Sequence, residues 1–132
     1  MLKIPRAIQE ALFAQALQED PIECCGLLAG RVDRVTHHYQ IKNADKSSTT
    51  YLMEPREQIL AFTNMRHNLL DLLAIYHSHT HSPAYPSATD IRLAYYPDCS
   101  YLIISLLNKK TPQLRVFRIL NGDVLEEKLE IT

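Results

Sequence analysis

The sequence predicts an α/β sandwich built around a mixed central sheet flanked by helices, and three observations carry that expectation. Apolar residues recur at helical spacing near the N-terminus and again after Pro55. Between and beyond those segments lie short runs rich in Val, Ile, Leu and Tyr, bounded by turn residues as strands are. Two pairs of runs read as hairpins, whereas residues 72–76 are apolar throughout and suit a central strand covered on both faces. Hairpins interleaved with helices give a mixed sheet, not a regular parallel, doubly wound one.

Over residues 5–18, Ile8, Ala11, Leu12 and Ala16 mark one face of a first helix, with Pro5 suited to its first turn and Asp20-Pro21 near its end. Residues 24–29, closed by Gly30, read as a buried strand, and 32–41 as its hairpin partner. A polar loop covers 43–50, and 51–53 can add a short strand. Pro55 opens a second helix reaching about residue 70, with Ile59, Phe62 and Leu69 available for packing. The strand over 72–76 then runs directly into His77-Ser78-His79. After a loop containing Pro83 and Pro86, Ser87-Ala88-Thr89-Asp90 opens a third helix carrying Ile91, Leu93 and Ala94. Residues 101–107 form another apolar strand, and 114–120 with 123–131 a hairpin about Asn121-Gly122, a favoured two-residue turn. No repeat or linker interrupts this order, so a single domain over 1–132 is expected.

At 132 residues, folding removes about two-thirds of the chain's surface from water, enough for one real core. A composition of 46% hydrophobic and 22% charged residues excludes the profile of a disordered chain. Net charge is only −1, with Lys and Arg scattered among Asp and Glu, so nucleic acid is not an expected partner. No apolar run approaches the length of a membrane span, which points to a soluble, cytoplasmic protein with no membrane partner. Three cysteines, two of them adjacent at Cys24 and Cys25, do not suit a disulfide framework. Those two read as small buried strand residues, and Cys99 has no assigned role.

Side chains alternate along a strand, so His77 and His79 project to one face and Ser78 to the other. Two imidazoles can then converge on one ion. Catalytic zinc sites commonly take three protein ligands and leave the fourth position to water, and His77, His79 and Asp90 supply such a set. The short loop over 80–86 lets Asp90, in the first turn of the third helix, face the two histidines, and ligands on the ends of regular elements are better fixed than ligands on a free loop. Zinc lowers the pKa of its bound water to about 7 and polarises a carbonyl, but a base must still move the proton. Glu23 is the candidate base, because it begins an apolar segment where an unpaired carboxylate is costly to bury. Ser87 can hydrogen-bond a developing oxyanion.

Each residue also has a plainer reading. Alone, Ser87-x-x-Asp90 is a capping box, His-x-His an ordinary surface pair, and a single upstream glutamate a solvated residue near a turn. His81 is a solvated loop histidine, a substrate contact or a transient metal ligand, and His37, His38 and His67 are structural or exposed. Tyr85, between the ligands, is a candidate to line a substrate groove.

Together, Glu23 and the run from His77 to Asp90, H-S-H-T-H-S-P-A-Y-P-S-A-T-D, resemble the complete JAMM signature of the MPN+ (JAB) zinc metallopeptidases. That pattern is an upstream glutamate, His-x-His, seven residues, serine, two residues, aspartate. The chain's length resembles the compact prokaryotic branch, in which the MPN domain is nearly the whole protein. The resemblance implies an MPN, cytidine-deaminase-like sandwich with one Zn2+ per chain and a catalytic water. His77, His79 and Asp90 would hold the metal, Glu23 would act as general acid and base, and Ser87 would assist the tetrahedral intermediate. It implies hydrolysis of peptide or isopeptide bonds, often behind the C-terminal Gly-Gly of a ubiquitin-like protein. In bacterial relatives of this size the partner is frequently a small sulfur-carrier protein from which cysteine is released.

One departure is Thr80-His81, where many relatives have proline after the second histidine; it bears on loop shape and substrate preference, not on the metal set. The chain is also too short for the insertions by which eukaryotic deubiquitinating relatives select a linkage. The alternative function is a non-catalytic MPN scaffold, against which the complete ligand set argues. A zinc deaminase would need His-x-Glu and Pro-Cys-x-x-Cys elements, and neither occurs.

Overall fold

The computed structural model describes residues 1–132. It carries the chain through β1 (Leu2–Ile4), α1 (Arg6–Glu19), β2 (Cys25–Arg31), β3 (Arg34–Ile41), α2 (Pro55–His67) and β4 (Asp71–His79). There follow α3 (Ala88–Arg92), β5 (Ser100–Ser105), β6 (Gln113–Leu120), β7 (Asp123–Glu127) and β8 (Leu129–Ile131). All strands join one mixed sheet in the order β7-β6-β5-β4-β2-β3-β1-β8. Pairing is parallel between β4 and β5 and where β1 meets β3 and β8, and antiparallel elsewhere. This is the expected α/β sandwich with a mixed sheet.

β4 lies in the middle, between β2 and β5, and is buried from residue 74 to 79. Its pleat divides the core. Ala74 and Tyr76 pack with Leu12 and Ala16 of α1, whereas Ile75 packs with Ala61 and Met65 of α2. The two long helices therefore cover opposite faces, and alternation carries His77 and His79 to the α2 face and Ser78 to the α1 face. α1 is tied to the sheet by a buried relay in which Tyr76 Oη donates to Gln15 Oε1 (2.6 Å) and Gln15 Nε2 donates to the Cys25 carbonyl (3.3 Å). Gly26 makes room for it, since a Cβ there would collide with the Tyr76 ring and the Tyr39 carbonyl.

Several elements differ from expectation. The N-terminal residues form β1, a strand too short to show a period and therefore unassigned from sequence. Pro5 is the N-cap of α1, just outside its first turn. β2 continues through Gly30, with a register shift at that residue. The segment 51–53 adds only an isolated bridge, Asn43 to Met53. α2 stops at His67, and Ile59 and Leu69 are exposed; its buried face is Ala61 and Met65, one turn apart, and Ile59 lies about 200° around the helix from Ala61. α3 is only five residues long, with Leu93 as its half-exposed C-cap.

The largest correction concerns 123–131, which is not one strand. The chain breaks at Lys128, with β7 on β6 at one edge of the sheet and β8 on β1 at the other. One residue joins opposite edges, so the sheet curls until they meet. Across that seam the Leu2 amide donates to the Lys128 carbonyl (3.0 Å), and the N-terminal ammonium pairs with Glu127 (3.3 Å).

Candidate metal centre and active site

The end of β4 presents His77 and His79, both buried, on the α2 face. α3 presents Asp90 through a complete capping box: Asp90 N donates to Ser87 Oγ (3.0 Å) and Ser87 N donates to Asp90 Oδ2 (2.9 Å). Asp90 Oδ2 stands 2.9 Å from His79 Nε2 and 3.2 Å from His77 Nε2, and the two nitrogens are 3.2 Å apart. Donors at 2.0–2.1 Å around a tetrahedral zinc are separated by about 3.3–3.4 Å. The three atoms therefore form one face of such a tetrahedron.

Tautomer chemistry makes the demand for a cation explicit. His79 Nδ1 lies 2.8 Å from the Pro83 carbonyl, which only accepts, so that nitrogen carries a proton. The Nε2 of a neutral His79 then directs a lone pair at a carboxylate oxygen and a second imidazole nitrogen. A proton answers part of this demand, and a metal ion answers all of it. His77 Nδ1 is buried without a partner, and the ring is held by stacking on Tyr51 at 4.6 Å and 23°. His77, His79 and Asp90 form a group positioned to bind a metal.

The protonation states of His77 and Asp90 suit that use, while at His79 an arriving metal competes with a proton. Burial lowers the pKa of His77 and keeps its ring neutral. Burial would lower His79 too, but the hydrogen bonds with Asp90 and Pro83 raise it. For Asp90 burial works upward, yet the hydrogen bonds with His77 and His79 hold the carboxyl well below the usual carboxylate range, so it is ionised. Glu23 behaves oppositely: burial pushes its carboxyl up to about 8, with His79 pulling down and Asp90 pushing up.

Glu23 is 4% exposed and its Oε1 has no partner. Two residues with no role assigned from sequence hold it. Asn43 Nδ2 donates to the Glu23 carbonyl (3.0 Å), while Ser78 Oγ accepts from the Cys24 amide (2.8 Å). A small hydroxyl at a fully buried strand position is a signal of such a bond, because burying it unpaired is costly. Tyr51, expected only as part of a strand, is the other missed contributor.

The remaining candidates stand outside the triangle. His81 is exposed and meets Thr80 Oγ1 (2.9 Å), and His37 and His67 are exposed. Tyr85 sets its edge on Phe117 at 5.4 Å, under the Arg115 guanidinium. Cys24 and Cys25 are buried in opposite core clusters, and burial pushes the Cys24 thiol up to about 12, so neither acts as a thiolate. Beside the triangle, against Asp90 and Tyr51, lies a cavity of about 310 Å³.

With the geometry in place, similarity to known proteins is informative. Residues 5–120 match the family described as prokaryotic homologs of the JAB domain. The CysO-cysteine peptidase of Mycobacterium tuberculosis is 37% identical over 133 residues, covering 99% of this chain and 91% of that protein. A probable TtuB-protein conjugate cleaving protease of Thermus thermophilus is 41% identical over 97 residues, covering 71% of this chain and 64% of that protein. The solution structure of a Desulfitobacterium hafniense protein superposes with a TM-score of 0.92 at 40% identity, covering 100% of this chain and 93% of that one.

Proposed function

Because this chain belongs to the prokaryotic JAB-domain family, matched over residues 5–120, we propose that it is a zinc-dependent JAMM-type hydrolase of peptide or isopeptide bonds. Its substrate in this reading is an amide at the C-terminal Gly-Gly of a ubiquitin-like or sulfur-carrier protein, with cysteine as one product the family resemblance allows. The observation that carries the reading is the triangle of His77 Nε2, His79 Nε2 and Asp90 Oδ2 beside a buried, unpartnered Glu23. The names of the mycobacterial and Thermus relatives, one a peptidase of CysO-cysteine and the other of TtuB-protein conjugates, support the substrate class. No helix is long and apolar enough to cross a membrane. Three free cysteines accord with a cytoplasmic setting.

When bound, zinc supplies an acidified water and a Lewis acid for the scissile carbonyl. His77 and His79 donate neutral nitrogens, the second oriented by Pro83, and Asp90 contributes the anion that the Ser87 capping box aims. Glu23 takes a proton from the attacking water as the new C–O bond forms, and returns it to the departing amine as the C–N bond breaks. Burial raises the Glu23 carboxyl from the ordinary glutamate range toward neutrality, the direction that suits a group that must both take and return a proton. Ser87 Oγ already accepts the Asp90 amide, so its hydroxyl hydrogen is free to steady the developing oxyanion.

The test is zinc content together with cleavage of a sulfur-carrier protein bearing a C-terminal cysteine or peptide extension, in wild type and His77→Ala. The expected result is near-stoichiometric zinc and chelator-sensitive cleavage, both lost in the variant. Protein purified without chelator that holds no zinc would overturn the reading and favour a scaffold.

A further inference from the structure

The cavity beside the metal ligands has features that the chemistry so far does not use. Asp90 forms one wall and Tyr51, stacked on His77, another, so an occupant sits in contact with the reacting centre. The lining is mostly apolar and contains no lysine or arginine. Its single charged residue is Asp90, whose Oδ2 is already engaged by both histidines. A free carboxylate would therefore enter an apolar, anionic site with nothing to pair it. The wall is preset, since the Tyr96 amide donates to Tyr101 Oη (3.0 Å) and pins the segment after α3. At the mouth, Leu93 and Tyr95 stand 46% and 72% exposed, apolar surface whose removal from water favours binding.

Resting on the peptidase reading, the acyl side of the scissile amide is Gly-Gly, which has no side chain to fill a cavity of about 310 Å³. We propose that this cavity is the subsite for a large apolar or aromatic side chain on the amine-side residue, the one released when the amide is cut. A cysteine side chain fits without clash but leaves most of the volume to water. Burying a Phe or Leu side chain that Ala lacks is worth about ten- to hundred-fold in affinity.

The experiment uses acetyl-Gly-Gly-X-amide peptides, with X as Phe, Leu, Ala or Asp. Cleavage is measured with the zinc-loaded protein, and binding with zinc-loaded Glu23→Gln by NMR titration. Expected are kcat/KM and affinity falling from Phe and Leu through Ala to Asp, with Phe over Ala by about ten- to hundred-fold. Leu93→Glu and Tyr95→Ala, both at exposed positions, should flatten that preference, and a melting curve for each verifies folding. Chelator-sensitive cleavage at equal rates for every X would overturn the subsite and leave the peptidase reading standing. No cleavage of these peptides or of the sulfur-carrier protein with its C-terminal extension, with Phe still bound above Ala in a Leu93-dependent way, would overturn the peptidase reading and support the cavity assignment. Equal binding of all four peptides overturns the subsite in either case.

Discussion

Glu23 combines a buried carboxyl, an oxygen without a hydrogen-bond partner and a pKa raised to about 8, and that combination opposes folding. The folded, metal-free protein binds the Glu23 proton more tightly than the unfolded chain does, whose glutamate titrates near 4.5. Between those values the folded state carries the extra proton, so this residue's stability contribution is intact below about pH 4.5 and declines as pH rises toward 8. Glutamine has no such proton to lose. Metal-free Glu23→Gln should therefore be more stable than wild type by on the order of 2 kcal/mol at pH 8.5 and nearly equal to it at pH 5. Urea unfolding in chelator at the two pH values checks this, and a difference independent of pH would remove the buried charge as its cause. The same variant should retain zinc and lose turnover, a trade of stability for a proton carrier that many active sites make.

At the scale of elements, the site is assembled by two chain ends: the last residues of β4 and the first turn of α3. Ser87 serves α3 as its N-cap, and it holds Asp90 with two hydrogen bonds. Capping and oxyanion assistance are separable by the size of the substituent. Ser87→Ala removes a cap and should cost about 1 kcal/mol of stability, whereas Ser87→Gly, a tolerated cap, should cost a few tenths. If the hydroxyl also steadies the oxyanion, both variants lose it equally, and kcat should fall by roughly a hundred- to a thousand-fold in each. A rate loss that tracks the stability loss, larger in alanine than in glycine, would reduce Ser87 to a cap.

At the scale of the molecule, the site was more legible than the fold's closure. His77, Ser78 and His79 declare their faces through strand alternation, and Ser87 to Asp90 declare a helix start through local capping, so neither needs long-range information. Tyr51 gave no comparable signal, because its stacking on His77 joins a loop to β4. Residues 123–131 read as one strand from the apolar Val124, Leu125, Leu129 and Ile131, although Glu126-Glu127-Lys128 interrupts their alternation, and at Lys128 the chain passes between the two edges that the curled sheet brings together. Glu127 serves that seam, accepting from the N-terminal ammonium, Ser100 Oγ and Arg118 Nε. The three residues positioned to bind a metal lie instead on β4 and α3, so an ion held by them would tie the central strand to an otherwise short, exposed helix. An ion bound to the folded state and not to the unfolded chain stabilises by mass action, about 4 kcal/mol at a thousandfold excess over Kd. For a chain of this length that is a rise of roughly 10–20 °C in Tm. Calorimetry of wild type with zinc and with EDTA should show this difference, and His77→Ala should show little of it. A Tm indifferent to zinc in wild type would mean that the triangle of nitrogens and oxygen is held by a proton alone.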